Sequence, residues 1–160
     1  MNEFNDTPPT SIEETKKLKK GSPAKAIIIG FLVDIIGSSV LAIIFGIVYS
    51  VLLASRGLTP EEIEYQLTNL DPYSTFSLIS MFFGGLMTVF AGYLCARIVN
   101  YSEYKFTFIL GFITAMVGFM AGESYYSTLD NIFLGILTMG CAFLGAWLHV
   151  NNKTDKANEI

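Results

Sequence analysis

The feature that most constrains the fold of this chain is the gathering of its hydrophobic residues into four long blocks, at 26–54, 75–99, 106–122 and 131–150. A helix needs roughly 20 apolar residues to cross a lipid bilayer. Only 15% of the residues are charged, against roughly 25% in soluble domains, which excludes a small soluble domain. The sequence therefore predicts an all-α polytopic membrane protein whose four transmembrane helices form one domain at 26–150.

The distribution of basic residues predicts how the chain is oriented. Nine of the ten Lys and Arg residues lie before the first block, around the 100–105 link or after the fourth block, and Arg56 alone lies among acidic loop residues. Basic residues concentrate in cytoplasmic loops. The N-terminal segment 1–25 and the tail 151–160 are therefore expected to be cytoplasmic, with the chain in a cell inner membrane. The lysines at 16–25 either hold anionic lipid head groups or act only as topology signals.

A short helix is predicted in the loop that joins the first two blocks. Thr59, Pro60 and Glu62 form the pattern of an N-cap, a proline in the first helical turn and a capping-box acid. Apolar residues at helical spacing follow, and Asp71 precedes a second proline that stops the run. We expect an outer amphipathic helix at about 60–70 that acts either as a lid or docking element or simply as a cover over the mouth of the bundle.

Small residues recur at every fourth position in the first two blocks, a spacing that lets helix backbones approach closely in lipid. We expect these two spans to form the closest helix pair, with the remaining small residues facing other helices or another subunit. A weak match between 30–37 and 111–118 also indicates two tandem helical hairpins, although apolar segments match by chance as well. The candidate packing residues are Gly30 and Ser38 in the first span and Gly84, Thr88, Gly92 and Ala96 in the second.

Asp34 is the one ionisable residue well inside an apolar block, and intramembrane acids are candidates for functional sites. Its predicted partner is Arg97, near the inner end of the second span, so the two charges are expected to share a polar site. Two other interpretations stay open. The acid could lie at the level of the lipid head groups, with the span formed by residues 35–54, or it could carry a proton in transport.

The sequence contains no pattern typical of an enzyme, a metal site or a nucleic-acid-binding surface. No nucleophile with a base, glycine-rich phosphate loop or pair of carboxylates can be recognised, and His149 has no second type of metal ligand near it. Cys95 and Cys141 fall inside apolar blocks, where they are interpreted as small buried hydrophobic residues. We expect no enzymatic activity, no cofactor and no bound metal.

Two resemblances rest on short runs. The chain carries GYLCAR at 92–97 after an Asp-bearing first span and an LTPEE loop. This combination resembles a pattern in small bacterial four-helix inner-membrane proteins, and it implies a bacterial inner membrane and no activity. The run DIIGSS at 34–39 is similar to the first helix of small multidrug-resistance transporters, where a Glu binds protons and cationic drugs in exchange. Here the acid is Asp, the outer loop is much longer, and that family's other helices have no match.

Two functions are consistent with these features. The first is a non-enzymatic accessory or assembly subunit that packs against itself, as a homo-oligomer, or against a larger membrane protein partner. The alternative is a small proton-coupled transporter that uses Asp34. The lipid bilayer is a partner in either case, and no nucleic acid is expected to bind.

Overall fold

The computed structural model describes residues 21–122 and 126–158 of the 160-residue chain. Within them the fold is all-α, and four of its five helices are long and apolar enough to cross a membrane. The expected all-α fold with four candidate spans is therefore confirmed. The lysines at 16–20 lie outside the described residues. The helices are α1 (Pro23–Ser55), α2 (Pro60–Thr68), α3 (Thr75–Val99), α4 (Glu103–Gly122) and α5 (Thr128–Asn158).

The helix boundaries follow capping signals in the sequence. α2 opens with the predicted capping box, in which the Glu62 backbone N–H donates to Thr59 Oγ1 (3.4 Å) and the Thr59 N–H donates to Glu62 Oε2 (2.8 Å). α3 stops at Asn100, whose φ of +56° is the left-handed conformation that ends many helices. α4 and α5 begin three residues before their apolar blocks, since a polar first turn can extend a helix beyond the hydrocarbon.

Two contacts show which chain segments share an end of the bundle. The Gly21 backbone N–H donates to the Val99 carbonyl oxygen (3.2 Å), and Lys153 Nζ donates to Asn100 Oδ1 (2.8 Å). The start of α1, the α3–α4 link and the C-terminal part of α5 therefore lie together, and we call this half of the bundle the terminal half. The opposite half carries α2 and the α4–α5 link, and we call it the loop half.

The closest helix pair is α3 with α5, so the expectation that the first two spans form it is wrong. A Cβ added to Gly92 on α3 would run into the carbonyl oxygen of Ala142 on α5, and a Cβ added to Gly145 on α5 would run into the carbonyl oxygen of Val89 on α3. The two antiparallel helices thus approach to backbone contact through a glycine on each side. Gly92 serves this pair rather than the contact with α1.

α1 also packs against α3, and in the loop half it does so through side chains. The Met87 side chain covers Gly37, and an aromatic cluster joins the two helices in the loop half, where Tyr49 stacks on Phe76 with ring centroids 4.3 Å apart and Phe45 lies 6.3 Å from the same ring. α4 packs mainly on α5, and the described parts of α1 and α5 bring no Cα atoms within 8 Å of each other. The four long helices therefore form a ring in which α1 and α5 stand opposite each other.

Most buried residues of the bundle lie in the terminal half. The side chains of Ala26, Cys95, Val99 and Leu110 form one hydrophobic cluster at exposures of 0 or 1%. The interpretation of Cys95 as a small buried hydrophobic residue agrees with this position, whereas Cys141 is only partly buried. The loop half has few buried residues and contains a cavity instead.

Candidate functional site

The cavity of the loop half has a volume of about 600 Å³ and lies between all four long helices. We call it the vestibule. Some of its wall residues are well exposed, as Val117 is at 41%, so the vestibule is an open cavity and not an enclosed one. It is lined by parts of α1 (34–46), α3 (76–88), α4 (114–122) and α5 (131–141), and at its mouth by Leu70 and Tyr126.

Small residues in the walls create the vestibule. A Cβ added to Gly46, Gly84 or Gly118 would meet open space, although all three glycines lie inside long helices. Ser38 lines the same space. Ser38 and Gly84 were predicted to mediate helix packing, and the structure places both on the vestibule wall instead.

A buried carboxylate forms the floor of the vestibule. Asp34 is 3% exposed, and its Oδ1 accepts a hydrogen bond of 2.9 Å from Thr88 Oγ1. Asp34 lies eleven residues from the start of α1, and Thr88 lies eleven residues from the end of α3. Both are therefore about 16 Å along their helices from the terminal end, at 1.5 Å per residue, near the middle of the bundle.

A third helix contributes Thr114 at the same depth, eleven residues from the start of α4. Thr114 lines the vestibule, and its hydroxyl oxygen is buried without a hydrogen-bond partner. Other hydroxyls of the wall are satisfied by their own helices: Ser80 donates to the Phe76 carbonyl and Thr138 to the Leu134 carbonyl. The Thr114 hydroxyl has no such bond to its own helix and is close enough to the Asp34 carboxylate to interact with it.

The structure does not bring Arg97 to Asp34, and the predicted pair of charges is corrected accordingly. The acid lies at the level of Thr88, nine residues before Arg97 on α3, which is about 13.5 Å along the helix. Arg97 is exposed, and the ion pair found in the described part of the chain joins Lys153 and Glu103. The arginine lies near the helix end, from which its long side chain can reach water.

The remaining predicted packing residues lie in the terminal half. Gly30 fits between two helices, because an added Cβ would lie 2.8 Å from Leu110 Cδ2 on α4 and 3.3 Å from the Ala91 carbonyl oxygen on α3. Ala96 is fully buried. Gly30 thus lies at a helix contact and Ala96 is buried, both below the floor of the vestibule.

The mouth of the vestibule is acidic. Asp130 lies in the first turn of α5 and accepts a hydrogen bond of 2.7 Å from Ser127 Oγ. A hydrogen bond to Asp130 raises the pKa of Tyr73, in the loop before α3, above its ordinary value. The next residue, Asn131, is 4% exposed and packs on Gly122 at the end of α4. These contacts hold the start of α5 against the end of α4 beside the opening.

Sequence reasoning did not identify Thr114 or Cys141 as site residues, and both line the vestibule. Counting residues from the start of each helix would have indicated Thr114, since it lies as far into α4 as Asp34 lies into α1. No family model, curated protein or solved structure matches this chain. The chemistry of the site therefore has to be argued from its own groups: one carboxylate, two hydroxyls and a thiol, which can hold a proton or accept hydrogen bonds from a ligand.

Proposed function

We propose that this integral membrane protein is a small proton-coupled transporter that binds its solute in the vestibule and carries the proton on Asp34. The observation that supports this proposal is the position of the acid, which closes the inner end of a solute-sized cavity midway along the bundle. Binding sites of proteins are typically cavities of roughly 300–1,000 Å³, and a cavity of about 600 Å³ falls within that range.

The energetics of the buried acid support a functional role. An ionised carboxylate in a low-dielectric interior is costly unless it is paired, and it takes up a proton instead. Asp34 accepts one hydroxyl hydrogen bond and has no basic partner within the described residues. A structural role would be met more cheaply by an apolar side chain, so the acid fits a group that binds and releases a proton.

The competing accessory-subunit function rested on small-residue faces that could pack against a partner. Gly30, Gly92 and Gly145 are occupied within the chain, and Gly46, Gly84 and Gly118 border the vestibule. These positions leave less of the small-residue surface for a second subunit. Homo-oligomerisation and a larger membrane partner remain predictions of the sequence.

The orientation that we propose places the terminal half on the cytoplasmic side of an inner membrane, because basic residues concentrate there. In a protein whose two native cysteines are replaced by Ser, a cysteine introduced at Gln66 on α2 should react with an impermeant thiol reagent added outside intact cells. A cysteine introduced at Asn152 in the same protein should react only after lysis. Both positions are exposed in the structure. The reverse pattern would invert the topology and the side from which the vestibule opens.

Two-sided access to the vestibule tests the transport proposal. Replacement of Cys95 by Ser leaves Cys141 as the only thiol, because the chain has two cysteines. A small impermeant methanethiosulfonate should label Cys141 from the loop side of sealed vesicles. A transporter must also open toward the other side, so slower labelling from the terminal side is expected, with a rate that changes in Asp34→Asn.

The matched control keeps Cys95 and replaces Cys141 by Ser. Cys95 is fully buried in the terminal half and should stay unlabelled from the loop side. Labelling of Cys141 from the loop side alone, at every pH tested and with or without Asp34, would contradict transport and favour a static component of a larger assembly.

A further inference from the structure

The floor of the vestibule combines groups that no proton alone would require. Asp34, Thr88 and Thr114 come from three different helices at equal depth. Thr88 donates to Asp34, and the Thr114 hydroxyl, which is close enough to interact with the same carboxylate, is buried without a hydrogen bond of normal geometry. Buried polar groups normally have hydrogen-bond partners, and each exception calls for an explanation such as a missing ligand or water.

The charged residues in and around the vestibule indicate the sign of the charge that such a ligand would carry. Asp34 is the one charged residue among the described residues of its lining. Asp71 and Asp130 are the chain neighbours of the lining residues Leu70 and Asn131. The loop that holds α2 adds three glutamates against a single arginine, Arg56. An acidic approach raises the local concentration of cations. The site therefore favours a ligand with one positive charge over an anion.

The residues of the wall indicate what the uncharged part of the ligand would be. Above the polar floor the wall includes the aromatic rings of Phe45, Phe76 and Phe119 beside small residues. Cations are attracted to aromatic faces, and apolar groups gain from burial against them. A compact apolar body attached to a charged head would thus match the vestibule from floor to mouth.

From this arrangement we infer that the vestibule binds a primary ammonium compound, with its R–NH₃⁺ head on the oxygens of Asp34 and Thr114 and its apolar part against the aromatic wall. The inference rests on the proposed function and specifies its solute. A primary ammonium offers three N–H donors and no acceptor, as a lysine head does. It can donate to the carboxylate and to the Thr114 hydroxyl oxygen together, and the Thr88 bond holds the carboxylate in place.

Phenylethylamine is the probe, with two analogues that separate charge from hydrogen bonding. Its N,N,N-trimethyl derivative keeps the charge and loses every N–H donor, and phenylethanol keeps the ring and loses the charge. The measurement is the rate at which the thiol reagent labels Cys141 from the loop side in the Cys95→Ser protein. At about nine times its dissociation constant, phenylethylamine should slow labelling about tenfold.

The trimethyl derivative should bind about tenfold more weakly than phenylethylamine, since it cannot make charge-assisted hydrogen bonds, and phenylethanol should give no protection. Thr114→Val should remove the preference for the primary amine. Thr138→Val is the matched control, because that hydroxyl also lines the vestibule but donates to its own helix, and it should leave the preference intact.

The possible labelling results distinguish failure of this inference from failure of the proposed function. Cys141 that is not labelled from either side would overturn the accessible vestibule and with it the proposed function. Two-sided labelling that no amine slows would overturn this inference and leave transport standing. Equal protection by the amine and its trimethyl derivative would show that charge alone is recognised, and it would also overturn the ammonium assignment. Asp34→Asn should abolish protection while Cys141 stays reactive.

Discussion

The two halves of the bundle use similar residues for opposite purposes. In the terminal half, Gly92 and Gly145 bring α3 and α5 into backbone contact. In the loop half, Gly84 on the same helix α3 faces open space and helps to form the vestibule. Small residues in a membrane helix therefore mark positions of low side-chain volume, and the opposing helix decides whether that volume becomes a contact or a cavity.

Asp34 lies at the boundary between these two halves. The acid lies where close packing ends and the vestibule begins, so one side of it is sealed and the other is open. A carboxylate at this boundary can exchange protons with the vestibule while the terminal half blocks leakage to the opposite side. The contrast between a sealed half and an open half is what the following substitutions test.

The largest expected effect comes from filling the α3–α5 contact. Gly92→Leu should lower the free energy of unfolding by about 3 kcal/mol, the upper part of the range for overpacking, because the added side chain would push into the backbone of Ala142. Reversible unfolding in mixed detergent and SDS micelles, followed by helical circular dichroism, measures this change. The thiol of Cys95, fully buried nearby, should become reactive at lower SDS.

Gly84→Leu is the control on the same helix. Its side chain has open space beside it, so stability should change little while the vestibule shrinks and loop-side labelling of Cys141 slows. Equal destabilisation by the two substitutions would mean that the halves are packed alike, and the comparison would fail.

The second effect in size concerns the floor of the vestibule. Thr88→Val removes the hydroxyl that donates to Asp34 and leaves a buried carboxylate less satisfied, which typically costs about 2 kcal/mol. Unfolding of Thr88→Val, Asp34→Ala and the double variant gives the coupling energy between the two side chains. Their losses should be less than additive, because each single variant breaks the same bond.

Arg97→Gln is the control for the double-mutant cycle of Asp34 and Thr88. Arg97 lies about 13.5 Å further along α3 than Thr88 and is exposed, so its loss should add independently to that of Asp34→Ala. Strong coupling between Asp34 and Arg97 would restore the charge pair that the sequence predicted and remove Thr88 as the partner.

The sequence predicted those properties that depend on one segment of the chain and missed those that depend on contacts between helices. Span number, the capping box at Thr59 and the buried environment of Cys95 follow from composition and spacing within one segment. The partner of Gly92 and the partner of Asp34 depend on which helix stands opposite and at what depth. Spacing along α3 cannot distinguish α1 from α5, and for that reason Gly92 was recognised as a packing residue while its partner helix was assigned wrongly.

A smaller effect is expected on the loop side, where α2 stands outside the ring of long helices. Thr59→Ala removes the reciprocal capping bonds with Glu62 and should destabilise α2 by about 1 kcal/mol. Hydrogen exchange should speed up about fivefold at the α2 backbone amides and stay unchanged in α3. Faster exchange throughout the bundle would mean that α2 is an integral part of the packed core.

The smallest effect should come from the polar contacts that close the terminal half. Lys153 Nζ lies 3.3 Å from Glu103 Oε1 and 2.8 Å from Asn100 Oδ1, but the Lys153 side chain is 44% exposed. Exposed ion pairs typically contribute about 0.5 kcal/mol, so Lys153→Met should shift unfolding only slightly and Cys95 should stay protected. The seal of the terminal half would then depend on backbone contact between α3 and α5. If Lys153→Met instead opened Cys95 to the thiol reagent as Gly92→Leu is expected to do, the polar contacts would be the seal, and the α3–α4 link would become the candidate gate of the proposed transporter.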